Sequence, residues 1–367
     1  MNGGIFMLWK KWIGSILLIL GCTLLVNEGN AQATTFTDVN EKHPSVLEIE
    51  FLADTKIIKG YPDQTFKPFN HVTNSQVALM ISRALELDLR NRPNPGFNDL
   101  SRVDDETYKA IAAVVDEGIF PKGQKFRPYE PITRGEMASV LVNAFKLKGT
   151  TQKEFKDVSA NNPYYKAIKT LAASNITTGY EDGTFKPASP LTRAHFSTFM
   201  SRIMEPDFIP VSSGYQYNKN YHYVYEYNDL DFVGKDYFTY KQTDKNGDRW
   251  FVSSENGQGL EYISIVEKKG FTFKGLSQEI IDFHIPYPVK LGASWSYSYM
   301  KDYSPVTYAV TSMSEKLSTP AGTFDRLIEI VSSDGYVFYY SPEYGHIRTY
   351  DLKADKVVYE LVSLKKR

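Results

Sequence analysis

One three-part motif, repeated three times, constrains this chain more than any other feature. Phe36-Thr37-Asp38-Val39 recurs as Phe97-Asn98-Asp99-Leu100 and as Phe155-Lys156-Asp157-Val158, at steps of 61 and 58 residues. A second landmark follows each: Thr65-Phe66-Lys67-Pro68, Lys125-Phe126-Arg127-Pro128 and Thr184-Phe185-Lys186-Pro187. A third begins at Thr73, Thr133 and Thr192. Fixed order at a period near 60 residues marks a repeat architecture, in which one unit buries little and several packed together can fold.

Each repeat reads as helix, loop, helix. Tyr108, Ile111, Val114 and Val115 have the spacing of an amphipathic helix, as do Met137, Val140, Leu141, Ala144 and Phe145. Val77, Met80, Ile81 and Ala84 match in the first repeat, and Phe196, Phe199, Met200 and Ile203 in the third. The threonines stand where each second helix should begin. Thr133 with Glu136 and Thr73 with Gln76 make capping boxes, whereas Thr192 with His195 leaves a simple cap.

The full pattern reads FxDV, an apolar helix, GYxDGTFKP, then [IL]TRAE. It resembles the S-layer homology (SLH) domain over about residues 35–205. The third repeat carries the likeness best, in Gly179-Tyr180-Glu181-Asp182-Gly183-Thr184-Phe185-Lys186-Pro187 and Leu191-Thr192-Arg193-Ala194-His195. The resemblance implies a pseudo-threefold helical bundle that docks non-covalently on a secondary cell-wall polysaccharide. That polymer often carries pyruvylated N-acetylmannosamine, on a bacterium with a thick wall. It also implies secretion and a place at the cell surface.

A pyruvate ketal is a carboxylate on a sugar, and an arginine fork suits a carboxylate. The candidate glycan-binding residues are therefore Arg134 and Arg193, Asp38, Asp99 and Asp157, and Gly60 and Gly179. Helix N-termini beside the arginines would add free N–H groups. The aspartates have a second reading, as caps of the helix or turn that follows them, and the glycines as suppliers of a positive φ. A cation in a helix's first turn opposes the macrodipole, so the arginines call for another use. Repeat one has Asn74 in place of Arg, and repeat two has Phe120 in place of Gly. If each site lies within one repeat, only the third is complete. If a groove is shared between neighbours, Gly60 and Arg134 complete one together. Both arrangements give fewer than three full sites.

The N-terminus reads as an address. Lys10 and Lys11 precede an apolar run from Trp12 to Val26, and Ala31-Gln32-Ala33 is a small-residue cleavage pattern. The run is short for a membrane span of ~20 residues, so a mature chain without an integral span is expected to start at Thr34. Ile19-Leu20-Gly21-Cys22 is a poor match to a lipoprotein box, so simple cleavage is favoured over lipidation of Cys22; with cleavage after Ala33 the single cysteine is lost, and with it any disulfide or thiolate chemistry.

From Tyr215 the period changes to two. Tyr221, Tyr223, Tyr225 and Tyr227 alternate with polar residues, as do Trp295, Tyr297 and Tyr299. Turn signals at Lys245-Asn246-Gly247-Asp248, Glu255-Asn256-Gly257, Pro320-Ala321-Gly322 and Ser333-Asp334-Gly335 argue an antiparallel curved sheet or open barrel. Residues 291–297, 319–324 and 339–347 also resemble an uncharacterised β-rich module of secreted bacterial proteins, which implies no activity. Asp244 to Asp248 begins like a calcium loop and reaches Glu255 at its twelfth position. Its sixth position is Arg249 where the sharp turn needs Gly, so a hairpin is the better reading. His222, His284 and His346 lack metal-ligand spacing, and no hydrolase, zinc or phosphate-loop motif occurs. The tyrosines could stack on sugars or simply pair across strands.

The expected fold class is α + β and multidomain, a pseudo-threefold helical SLH trimer followed by an antiparallel β-rich domain. The boundaries are signal peptide 1–33, repeats 34–90, 91–150 and 151–205, linker 206–214 and β domain 215–367. With 42 Lys and Arg against 43 Asp and Glu, the chain lacks the basic excess of a nucleic-acid binder. The expected function is wall anchoring through the secondary polysaccharide, with no cofactor or metal, displaying a β module of binding or structural role. The alternative is a wall-anchored hydrolase of glycan or peptidoglycan. A third use of the β module would be a hydrophobic ligand held in a half-barrel.

Overall fold

A computed structural model describes residues 35–229, 232–255, 257–267, 269–275, 281–298 and 304–367. The signal-peptide reading, with Cys22 and the cleavage site, lies outside the described residues. Of the described residues, those from Thr35 to Ile209 form one compact unit and those from Pro210 another.

The first unit holds six helices: α1 Val46–Asp54, α2 Asn74–Ala84, α3 Asp105–Asp116, α4 Arg134–Ala144, α5 Tyr165–Ala173 and α6 Arg193–Met204. Thr73, Thr133 and Thr192 cap α2, α4 and α6 in extended conformation, with capping boxes at the first two. Among the described residues, no helix is long and apolar enough to cross a membrane.

The residue before each of these threonines builds the centre. Val72 N–H donates to Leu191 O (2.9 Å), Leu191 N–H to Ile132 O (2.9 Å) and Ile132 N–H to Val72 O (3.0 Å). This ring of three backbone hydrogen bonds is wholly buried. Around it each second helix packs on the first helix of the next repeat: α2 on α3, α4 on α5 and α6 on α1. The third repeat thus closes on the first.

The second unit is one antiparallel sheet of twelve strands. They are β1 Tyr221–Asp229, β2 Phe232–Asp244, β3 Gly247–Ser254, β4 Gly259–Glu267, β5 Gly270–Gly275, β6 Ile281–Pro286, β7 Ser294–Tyr297, β8 Val306–Thr319, β9 Gly322–Ser332, β10 Tyr336–Ser341, β11 Gly345–Asp351 and β12 Lys356–Lys366. The order is β6-β5-β4-β3-β2-β1-β12-β11-β10-β9-β8-β7, so first and last strands pair in the middle and two meanders run outward. The sheet curls until its edges approach. Phe283 of β6 lies 4.5 Å from Tyr340 of β10, and His284 of β6 lies 6.3 Å from Tyr297 of β7 (ring centroids). The result is a nearly closed, barrel-like sheet.

Of the period-two tyrosines, Tyr221, Tyr223, Tyr225 and Tyr297 belong to its interior cluster, and Tyr299 lies outside the described residues. Tyr223 and Tyr225 are fully buried, and Tyr225 stacks on Tyr359 at 4.9 Å. Tyr217, from the segment ahead of β1, enters the same interior against Phe238, Trp250 and Phe273. The side chains fill the concave face themselves, as a packed core requires. The expected hairpin is present, with Asp244 paired to Gly247 across a two-residue turn. Its acidic groups are engaged, Asp244 with Arg249 and Asp248 with Thr243 and Lys219. The stretch 206–214, read from the sequence as a linker, carries local contacts. Pro206–Phe208 forms a 3-10 turn with Phe208 against Phe51 (5.2 Å), and Val211 bridges to Val289.

His346 on β11 is buried among Tyr225, Tyr340 and Tyr359, and one ring nitrogen, Nε2, meets Thr349. Burial pushes its pKa down from 6.5 to about 3. Below 6.5 the unfolded chain takes up a proton that the folded chain refuses, so stability falls as pH drops from 6.5 toward 3. The loss from this group is about 1.4 kcal/mol per pH unit. Urea unfolding at pH 7, 6 and 5 should show it, and His346→Gln should flatten that part of the slope.

Candidate functional site

The six landmark loops and helix starts meet at the junctions between repeats. At each helix start, two backbone N–H groups donate to carbonyls of the next repeat's loop. Arg134 and Gly135 donate to Ser189 and Pro187 (3.0 and 2.9 Å). Arg193 and Ala194 donate to Asn70 and Pro68 (2.8 and 3.0 Å), and Asn74 and Ser75 to Glu130 and Pro128 (3.1 and 3.0 Å). The third N–H goes to the capping threonine. These helix N-termini are therefore occupied by protein, which corrects the expectation that they offer free donors.

The arginine side chains follow the same path. Arg134 Nε donates to Phe185 O (2.8 Å), and its guanidinium lies over the rings of Tyr180 (4.8 Å) and Phe185 (4.7 Å). Arg193 Nε donates to Phe66 O (2.7 Å) and Nη2 to Lys59 O (3.3 Å), over Tyr61 (5.0 Å) and Phe66 (4.5 Å). Each arginine is only 5% exposed. Burial lowers the pKa of both, with Tyr180 and Asp157, or Tyr61 and Asp38, pulling the other way. An arginine stays charged through such a shift. Among the described residues neither makes a direct ion pair with a carboxylate, Asp157 and Asp38 acting only through their charge. The side-chain hydrogen bonds of Arg134 there run from Nε, and those of Arg193 from Nε and Nη2.

A second cation completes each arrangement. Lys67 and Lys186 each place Nζ 4.2 Å from the centroid of Tyr61 and Tyr180. Each tyrosine thus has an arginine and a lysine against its ring. Lys67 and Lys186 reach that position with φ of 57° and 61°, an unusual left-handed conformation for a lysine. The aspartates explain how it is held. Asp38 accepts the N–H groups of Phe66 and Lys67 (2.6 and 2.8 Å), Asp99 those of Phe126 and Arg127 (3.0 and 2.8 Å), and Asp157 those of Phe185 and Lys186 (2.8 and 2.7 Å). They staple the loop of their own repeat from 27 to 29 residues away, rather than capping the turn beside them.

The glycines make room. A Cβ on Gly60 would come 2.4 Å from Phe36, and one on Gly179 would come 2.5 Å from Phe155 and 2.7 Å from Thr184 O. Only Gly179 has a positive φ, 71°. The pairing of glycine and arginine differs from either expected arrangement. Gly179 and Arg134 share one junction, Gly60 and Arg193 another, and Gly60 does not meet Arg134. At the third junction Asn74 donates to Arg127 O (3.0 Å), and Phe120 packs on Phe126. No arginine from a neighbouring repeat enters there. His195 flanks the Arg134 junction; burial and then the Arg134 charge lower its pKa. Tyr61, Tyr180, Lys67, Lys186 and His195 were not singled out from the sequence.

Residues 35–78, 96–138 and 154–197 match the S-layer homology domain. The helical unit is a set of three S-layer homology domains. The chain is 32% identical over 183 residues to the surface-layer 125 kDa protein of Lysinibacillus sphaericus, covering 48% of this chain and 15% of that one. It is 32% identical over 178 residues to an uncharacterised cell wall amidase of Bacillus anthracis, covering 47% and 32%. It is 28% identical over 159 residues to the cellulosome-anchoring protein of Acetivibrio thermocellus, covering 40% and 35%. The matches thus span about a third or less of these relatives. Domain and relatives together place this chain at the cell surface, secreted and anchored to the cell wall.

The staple is testable. Asp157→Ala removes two charge-assisted hydrogen bonds and should destabilise the helical unit by about 3 kcal/mol. Gly179→Ala should destabilise it comparably, through ring collision and backbone strain. Urea unfolding followed by far-UV circular dichroism would read both.

Proposed function

We propose that the helical unit anchors the protein by binding an anionic secondary cell-wall polysaccharide at two of its three junctions. One observation carries this reading: Arg134 and Arg193 are buried without a direct carboxylate ion pair among the described residues, each against a tyrosine that also carries a lysine on its ring. Burying a cation is costly unless something compensates it. A carboxylate brought by a ligand would do so, with the guanidinium fork for its oxygens. A pyruvyl ketal on N-acetylmannosamine has this chemistry. Asp38 and Asp157 then support the two sites by shaping their loops, Asp99 doing the same for the loop at the junction without arginine, and Gly60 and Gly179 let the aromatic floor pack.

The C-terminal unit is proposed as a displayed binding or structural module. Its inner face is occupied by its own aromatic core, which disfavours a bound hydrophobic ligand. Its inward carboxylate Asp236 meets Tyr359 (2.9 Å), and burial raises its pKa. Glu329 is held by Tyr339 and Thr311, and Glu360 by Arg348. The engagement of these carboxylates by neighbouring side chains favours display over the hydrolase alternative, which would need two of them facing each other across a cleft.

Co-sedimentation with cell-wall sacculi tests the anchor. Arg134→Ala and Arg193→Ala should each weaken binding, and the double variant should abolish it. Asn74→Ala should leave it unchanged. Arg→Lys should not restore full binding, because a lysine lacks the fork. Sacculi stripped of the secondary polysaccharide should not retain the wild type; retention on stripped sacculi would overturn the reading.

A further inference from the structure

The two arginine junctions are not alike. After each Lys-Pro or Arg-Pro step the three loops carry Phe69, Tyr129 and Ala188. Phe69 is 79% exposed, the most exposed large apolar side chain among the described residues. Its backbone is pinned on both sides, since Pro68 O and Asn70 O accept the first two N–H groups of α6. The ring is therefore presented on a fixed support beside the Arg193 junction. His43 stands against it, ring centroids 5.9 Å apart and planes tilted by 58°, so that the two rings form an open corner. His43 is in turn tied locally, its Nδ1 accepting the Ser45 N–H (3.1 Å), and Ser45 Oγ meets Thr198 Oγ1 of α6 (3.1 Å).

We propose that Phe69 is a stacking platform for a neutral sugar ring adjoining the acidic residue held at Arg193. This deepens the anchoring proposal and rests on it. Arg193 spans the junction: its backbone N–H reaches Asn70, next to Phe69, and its guanidinium reaches Phe66 and Lys59. One arginine thus joins the two parts, its backbone at the residue after Phe69 and its guanidinium at the anion-binding end. An exposed rigid aromatic face offers the C–H face of a sugar apolar area that water does not reward. His43 supplies an imidazole edge for a hydroxyl. At the Arg134 junction the matching position is Ala188, so that junction reads the acidic sugar alone. At the third, the Tyr129 hydroxyl is committed to Arg102 O (2.7 Å) and the junction holds Asn74 in place of arginine. The Arg193 junction accordingly recognises a disaccharide and the Arg134 junction a monosaccharide.

The experiment uses the full chain carrying Arg134→Ala, so that only the Arg193 junction is read. The probes are the methyl glycoside of pyruvylated N-acetylmannosamine and the same residue linked to a neutral N-acetylhexosamine, titrated by calorimetry. Phe69→Ala should weaken the disaccharide about tenfold and leave the monosaccharide within about twofold. Phe69→Trp should keep the disaccharide preference. Equal affinity for both probes in the presence of Phe69, or equal loss of both in Phe69→Ala, would overturn the platform while leaving the acidic site standing. A Phe69→Ala change in sedimentation coefficient with no change in sugar binding would assign the ring to a second copy of the chain and overturn it as well. If Arg193→Ala leaves monosaccharide binding intact, the junction reading fails, and the platform with it.

Discussion

The arrangement rests on hydrogen bonds that each repeat cannot make alone. A helix start leaves backbone donors without partners, and a left-handed loop leaves carbonyls pointing outward. Here the two deficits answer each other across repeats, N–H of Arg193 to Asn70 and N–H of Ala194 to Pro68, and likewise around the other two junctions. The central ring through Val72, Ile132 and Leu191 sets the phase of that exchange. Burying six apolar faces then follows from geometry that the backbone already imposes. The candidate binding chemistry is a by-product of the same contact. The arginine that follows Thr133 or Thr192 is carried into the neighbouring loop because its own N–H group is.

Much of this was legible. The helices, their threonine caps and the period-two strands follow local rules, and local rules are written in neighbouring residues. The partners of the candidate site were not found, because they come from different repeats. Yet the departures encode the answer. Arginine is missing from repeat one and the Gly-Tyr pair from repeat two, where Phe120-Pro121 stands. Pairing each helix start with the next repeat's loop matches Arg134 to Gly179-Tyr180 and Arg193 to Gly60-Tyr61. It also leaves Asn74 facing Phe120. No other shift places both arginines opposite an intact loop. The aspartates misled for a related reason: an Asp beside a turn usually caps it, and nothing local shows that these three reach a loop almost thirty residues on.

In the β unit the alternating pattern gave the strands but not their order. A meander read along the sequence would leave β1 and β12 as edges. Their central pairing instead puts two consecutive strands, β6 and β7, at the margins, where curling brings them together. The aromatic richness then has a packing cause. A sheet closing on a narrow interior must fill it with large side chains, and Tyr217 enters from outside the ladder to complete the filling.

The closing of the ring also has a consequence in time. The junction at Arg193 joins residues from the beginning of the helical unit to residues 127 and 134 positions later. A chain emerging from its N-terminus has the loop of Lys59 to Phe66 early and lacks the arginine until α6 arrives. The Arg134 junction waits likewise for the third loop at Phe185. Neither arginine junction exists before the last repeat has been exported. If the proposed arginine junctions are what holds the wall, an unfinished or truncated chain would pass through it without attaching, and attachment would report a completed fold.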